Sequence, residues 1–248
     1  MTFPFQGFLL MPTHSERQTC ELRVRELADY MAASQQRRRS MLRQIKYPPL
    51  ARLLNHKEAR STISYWLREG GGDTSALSDK AERFRTRMAT TDFEAMQNQY
   101  NSDYVDTFAG IYDKLDIPAC EMEAPYGKQT ISLGGTSVIY NPDLNLRRVT
   151  IKNTVKVGGL FLRYAKDKKL DASAAQFQSA FTFGFLKATM PQEDAKPEHK
   201  LCLTVCAYSG ALTEAPSNSV YLFNEMEAAC ASIAERWANI EPPPNAEF

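Results

Sequence analysis

Residues 129–140 read QTISLGGTSVIY, a stretch rich in Thr, Ser, Val and Ile with Gly134-Gly135 at its centre. β-Branched residues on either side of a glycine pair predict strand structure here, with a turn or bulge at Gly134-Gly135. Everything before this stretch reads as helix, and strands and helices alternate after it. The change of period decides the fold class.

Working back toward the start, Pro118 closes the strongest helical pattern, which opens at Asp92. Its apolar stripe is Phe93, Met96, Tyr100, Tyr104, Phe108, Ile111, Tyr112 and Leu115, at the spacing of one helix face. Before it, residues 74–79 start a helix that carries Phe84 and Met88. Gly70-Gly71-Gly72 stops an earlier one expected from about residue 50 to Leu67, because glycine ends a helix in the left-handed region without a steric cost. Met41, Leu42 and Ile45 mark a short helix ending near Pro48-Pro49. Ser15 with Gln18 reads as a capping box for a first helix through Cys20, Val24, Leu27 and Met31 to about Ser34. The apolar segment 3–11 is expected to dock as a strand or extended arm.

Working forward, Asn141-Pro142-Asp143 is turn chemistry, and residues 147–152 and 157–164 read as two more strands. Asp171 or Ser173 caps a helix bearing Phe177, Phe181 and Phe185, with a polar loop from Pro191 to Pro197 behind it. With Phe183 this helix is apolar nearly all round, which calls for cover on both sides. Residues 201–208 form a strand, Ser209-Gly210 a turn, and Ser217 or Ser219 opens a last helix through Phe223, Met226, Cys230, Ile233 and Trp237. The expectation is an α+β chain, with a helical region at 1–118 followed by a β-β-β-α-β-α domain at 119–248.

The 248 residues, 43% hydrophobic and 24% charged, are ordinary globular usage with enough chain to bury a core. No run of about 18 apolar residues is present, so no transmembrane helix and no membrane partner is expected. The start of the chain has no basic n-region or small-residue cleavage site, so no secretory signal is expected. Cys20, Cys120, Cys202, Cys206 and Cys230 are odd in number and scattered, which fits a reducing cytoplasm. His14, His56 and His199 stand far from any cysteine pair at zinc spacing. No histidine partner activates a cysteine as a nucleophile, and no phosphate loop or Gly-x-Ser-x-Gly elbow occurs.

The net charge of +1 conceals strong segregation. Arg37, Arg38, Arg39, Arg43, Lys46, Arg52, Lys57, Arg60 and Arg68 are opposed only by Glu58 over that span. A second basic stretch, 128–169, holds Arg147, Arg148 and Lys152, while the chain from Glu193 onward is acidic. Clustered cations bind phosphate backbones by releasing counterions, and Tyr47, Tyr65 and Trp66 offer faces for bases. Charge runs are also commonly solvated or paired within the fold. The expected partner is DNA or RNA, contacted by Arg37, Arg38, Arg39, Arg43, Lys46 and Arg52, with Arg147, Arg148 and Lys152 as a second patch. The expected role is a non-catalytic one in phage, plasmid or defence-related transactions, without a cofactor. A rival is an assembly factor that joins a protein partner or itself through opposite charges or the Phe-rich helix.

The order helix, three strands, helix, strand over residues 92–208, together with Pro142-Asp143, resembles the core of the PD-(D/E)XK nuclease superfamily. The resemblance implies a divalent metal such as Mg²⁺ on Asp143, with a second carboxylate and a lysine on the third strand, and water activated for phosphodiester hydrolysis. The strand at 157–164 carries no carboxylate, so Glu121 or Glu123 would have to complete the site. Gln176 and Gln178 match a glutamine that some members carry on the following helix. Without that completion, the resemblance implies a degenerate, non-cleaving version of the core.

Overall fold

The computed structural model describes residues 12–248 except 52, 54, 191–194 and 245. The apolar segment 3–11, Arg52 and the first part of the polar loop lie outside the described residues. The chain is α+β, with helices first and strands and helices after them.

A central sheet has the order β2-β5-β6-β7-β8, formed by Glu121–Glu123, Leu144–Val149, Val155–Arg163, Lys196–Cys206 and Ala211–Glu214. β6 and β7 run parallel, and the other neighbours are antiparallel. The link from β6 to β7 is α6, Ala172–Thr189, the crossover that a parallel pair requires. β6 is buried on both faces, and successive side chains go to opposite sides. Leu160 and Leu162 join one apolar cluster, while Phe161 joins the other.

The first cluster packs α3 (Lys57–Arg68), α4 (Ser75–Arg85) and α5 (Asp92–Ile111) onto one side of the sheet through Ile63, Phe84, Tyr104 and Phe108. The second lies on the other side and joins α1 (Val24–Ala32), α2 (Gln35–Lys46), α6 and α7 (Ser219–Trp237). Residues 178–186 of α6 are buried by their own chain, and Phe181, Phe183 and Phe185 all belong to this second cluster. Both clusters draw residues from either side of position 118, so the two parts of the chain share their cores.

A second, smaller sheet has the order β1-β4-β3, formed by Glu21–Arg23, Thr136–Tyr140 and Gln129–Leu133. Gly134 and Gly135 make the two-residue turn of the β3–β4 hairpin, with φ of 51° and 84°. Positive φ at both central positions is the hairpin geometry that glycine supplies best. At Gly134 it also matters for space, because a Cβ there would stand 2.6 Å from the backbone nitrogen of Ala231.

Three readings of the sequence shift. The first helix begins at Val24, not after Ser15, because residues 21–23 pair parallel with Ser137–Ile139 as β1, a strand inside the region expected to be all-helical. The start is capped by Glu26, whose carboxylate accepts the Arg23 backbone N–H at 2.7 Å. The helix expected from residue 50 begins at Lys57, where Asn55 Oδ1 accepts the Lys57 N–H and Asn101 Oδ1 on α5 accepts the Ala59 N–H, both at 3.0 Å. The expected β-β-β run divides between two sheets, and the short strands β2 and β8 carried too little pattern to be read.

Candidate functional site

α2 places its cations in two environments. Arg37, Arg39 and Arg43 are exposed. Arg38 turns back on α1, where Nε donates to the Tyr30 carbonyl at 2.9 Å and Nη2 to the Met31 carbonyl at 2.7 Å. A guanidinium on the last carbonyls of a helix answers both the open acceptors and the negative end of the dipole. Lys46 is 4% exposed and does the same for α7. Its Nζ donates to the carbonyls of Trp237, Ile240 and Ala238 at 2.9, 3.2 and 3.3 Å, with Glu16 Oε1 at 3.5 Å.

The expected second patch is mostly paired. Arg147 meets Glu121 of the neighbouring strand at 2.7 Å, and Arg148 grips Glu198 with two nitrogens, so part of the acidic end neutralises part of the basic centre. Lys152 is exposed near the tip of the β5–β6 hairpin. Among the described residues, the eight remaining members of the expected contact set therefore do not converge on one surface.

A different set converges. Lys57, Arg60, Ser61, Ser64, Tyr65 and Arg68 recur at helical spacing along α3 and line a cleft of about 860 Å³. The opposite stripe of the helix, Ala59, Ile63 and Leu67, is buried in the core. The facing wall carries Arg23 and Arg25 at the β1–α1 junction and Lys128 beside β3. Six cations thus surround a cleft whose lining carboxylates are Glu21 and Asp143. Glu21 holds Lys128 at 3.1 Å. Tyr65 is 59% exposed, with the Arg68 guanidinium 5.4 Å from its ring centre.

Asp143 lies at the base of this cleft. Its side chain is 8% exposed, with Arg25 Nη2 at 2.7 Å and Arg60 Nη1 at 3.2 Å, and it accepts the backbone N–H of Leu162 at 2.7 Å. Burial, and then the neighbouring charge of Arg25, pushes the Arg60 pKa below its usual value, with Asp143 opposing the shift. Behind Arg60, His56 packs among the rings of Tyr100, Tyr104 and Tyr164. Burial, and next the Asp143 charge, pushes the Tyr104 hydroxyl pKa well up.

The surroundings of Asp143 do not fit a divalent cation. Both carboxylate oxygens are taken by donors, and two guanidiniums occupy the space where further ligands would stand. Glu121 is engaged by Arg147, and Glu123 accepts the Tyr126 hydroxyl at 2.9 Å. Among the described residues no group of three His, Cys, Asp or Glu could hold a metal ion. Gln178 is fully buried on α6, accepting from Arg163 at 2.7 Å.

The α3 stripe was within reach of the sequence. Lys57, Arg60 and Arg68 were counted in the basic run, but their common face emerges only when 57, 60, 61, 64, 65 and 68 are set against 59, 63 and 67. The triple arginine of α2 is denser in sequence and gives the stronger local signal. No family model matches the chain, and no curated protein is significantly similar to it.

Proposed function

We propose that this chain binds a single strand of nucleic acid in the cleft between α3 and the β1–α1 junction, without cleaving it. The observation that carries this reading is the polar face of α3, which sets Lys57, Arg60, Ser61, Ser64, Tyr65 and Arg68 opposite Arg23, Arg25 and Lys128. Cations along both walls track a phosphate backbone, hydroxyls donate to phosphate oxygens, and an exposed tyrosine offers a platform for a base. The exposed Tyr65 ring favours a single strand, whose bases are free to stack on it, over a duplex, whose bases are already stacked on one another. The reading is of binding rather than hydrolysis because Asp143 is engaged by Arg25 and Arg60. All five cysteines are unpaired thiols, which supports a reducing compartment such as the cytoplasm.

The test is fluorescence anisotropy with labelled single-stranded DNA, single-stranded RNA and duplex, over a salt series. Single strands should bind with a steep salt dependence and the duplex more weakly. The double variant Lys57→Ala/Arg68→Ala should lower the slope of log K against log salt by about 1.4, at about 0.7 per lost single-strand phosphate contact. Arg39→Ala/Arg43→Ala should leave that slope close to the parent value. An unchanged slope in the first variant, or a lost slope in the second, would remove the cleft from the interface.

A further inference from the structure

We infer that a second cavity, at the carboxyl ends of β6 and β7, binds the phosphate group of a phosphate monoester. This site is independent of the strand-binding cleft. Its volume is about 710 Å³. β6 ends at Arg163 and β7 at Cys206, directly opposite each other in the parallel register, and both line the cavity. Open parallel α/β sheets take ligands in the crevice beyond the carboxyl ends of their strands, and the parallel pair of this sheet presents the same ends to the cavity.

Charge in the cavity is unbalanced in one direction. The acids that line it, Asp29 and Asp171, are already engaged. Asp29 receives Arg163 through both carboxylate oxygens at 2.7 and 2.8 Å. Asp171 caps α6 by accepting the N–H groups of Ser173 and Ala174 at 2.8 and 3.2 Å. The remaining cations are Arg37 on α2 and Lys168 and Lys169 on the β6–α6 connection, all exposed. Among the described residues none of these three has a carboxylate within ion-pair distance. Three uncompensated cations around one cavity match the charge of roughly −1.5 to −2 that a phosphate monoester carries near neutral pH.

One further feature favours an anion here. Ser34, the residue before α2, lines the cavity and makes no side-chain capping bond, so the first-turn N–H groups of this twelve-residue helix are not capped from that side chain. Cys206 lies on the cavity floor with its Sγ accepting the Leu170 N–H at 3.4 Å. Burial pushes this thiol pKa up, but hydrogen bonds from Ser209 and from the backbone of Leu170, Ser209 and Tyr208 outweigh it and bring the pKa below its usual value. Those hydrogen bonds are spent on the sulfur, and the positive charge of the cavity comes from Arg37, Lys168 and Lys169. The space exceeds what a phosphate ion fills, and Ala32, Ala33, Leu170 and Ala174 supply apolar wall for the organic part of the ester.

A phosphate monoester could arrive as a free mononucleotide or as the phosphorylated end of a strand, and the assay separates these. Binding to the full chain is measured by calorimetry for 5′-AMP against adenosine, and for a short oligonucleotide with a 5′-phosphate against the same oligonucleotide with a 5′-hydroxyl. The expected result is a preference of about tenfold or more for the phosphorylated member of at least one pair. A preference in the first pair identifies the free ester, and one confined to the second identifies the strand end. The double variant Lys168→Glu/Lys169→Glu should abolish the preference with unchanged thermal unfolding, while Lys57→Ala/Arg68→Ala should preserve it. Equal binding within both pairs, or a preference that survives the charge reversal, overturns the assignment.

Discussion

Arg60 Nη1 lies 3.2 Å from Asp143 Oδ1, and that contact joins the basic helix α3 to the turn that leads into β5. Arg25 holds the other oxygen of the same carboxylate, so one buried acid clamps the two walls of the cleft together. The clamp sets the spacing of the walls and keeps two of the six cleft cations from repelling each other at full strength. Asp143 thus ties the two walls of the cleft together, where the nuclease resemblance would have made it a metal ligand.

Asp143→Ala should therefore destabilise the fold. Removing one partner of a buried pair leaves the other charge uncompensated, at a cost of about 3–5 kcal/mol. Both arginines keep part of their surface in water, which places the expected loss near about 3 kcal/mol. The Leu162 N–H loses its acceptor as well. Urea unfolding of Asp143→Ala, Arg60→Ala and the double variant should give a coupling energy of the sign of an attractive pair. Additive losses would mean that the carboxylate and Arg60 act separately.

Lys46 and its neighbours on α2 should divide sharply. Lys46→Met keeps the volume but removes a charged donor from the Trp237, Ala238 and Ile240 carbonyls, of which Trp237 keeps the Ile240 N–H and Ile240 keeps the Tyr47 hydroxyl. Hydrogen bonds to a charged group are worth about 1.5–3 kcal/mol. A loss of about 2 kcal/mol is expected, with a lower melting temperature. Arg39→Ala and Arg43→Ala, on the exposed face of the same helix, should stay within about 0.5 kcal/mol of the parent. Equal effects at all three positions would contradict the capping role of Lys46.

These contrasts show what the sequence could reveal. Period and punctuation placed α5, α6, α7 and the Gly134-Gly135 hairpin, because each is encoded by residues close together in the chain. β1 was hidden because Glu21–Arg23 is held by Ser137–Ile139, more than a hundred residues away. The same distance conceals function. Arg38 and Lys46 look like members of a basic patch until the carbonyls of Tyr30 and Trp237 are in place, and nothing local distinguishes them from Arg37. Arg148 is assigned by Glu198 in the same way. The cleft cations come from α3, from the β1–α1 junction and from Lys128, so only the tertiary fold makes them one site.

Tyr65 separates stacking from charge. Its ring is exposed in the cleft with Arg68 beside it, and base stacking on an aromatic is worth about 1–3 kcal/mol by alanine substitution. Tyr65→Ala should weaken single-strand binding by roughly 5- to 150-fold while leaving the salt slope unchanged, since no phosphate contact is lost. A fall in slope equal to that of Arg68→Ala would indicate that the tyrosine acts only by holding the arginine.

His56 should make stability depend on pH. Its ring lies 5.0 Å from that of Tyr164 and 5.4 Å from that of Tyr104, and its Nδ1 is buried without a hydrogen-bond partner among the described residues. Burial, and then the Arg60 charge, lowers its pKa, against smaller opposing effects from the Tyr100 backbone and Asp103. The folded chain therefore favours neutral imidazole, whereas the unfolded chain takes up a proton near pH about 6.5. The stabilisation is whole above that pH and is lost as the pH falls toward and through the lowered folded-state value. Between the two values stability falls with falling pH, with a slope bounded by about 1.4 kcal/mol per pH unit for one proton. Urea unfolding at pH about 7, 6 and 5 should show this decline in the parent chain, and His56→Gln, which cannot titrate, should show a shallower one. Parallel curves for the two proteins would mean that the histidine keeps the same proton affinity in the folded and unfolded chain.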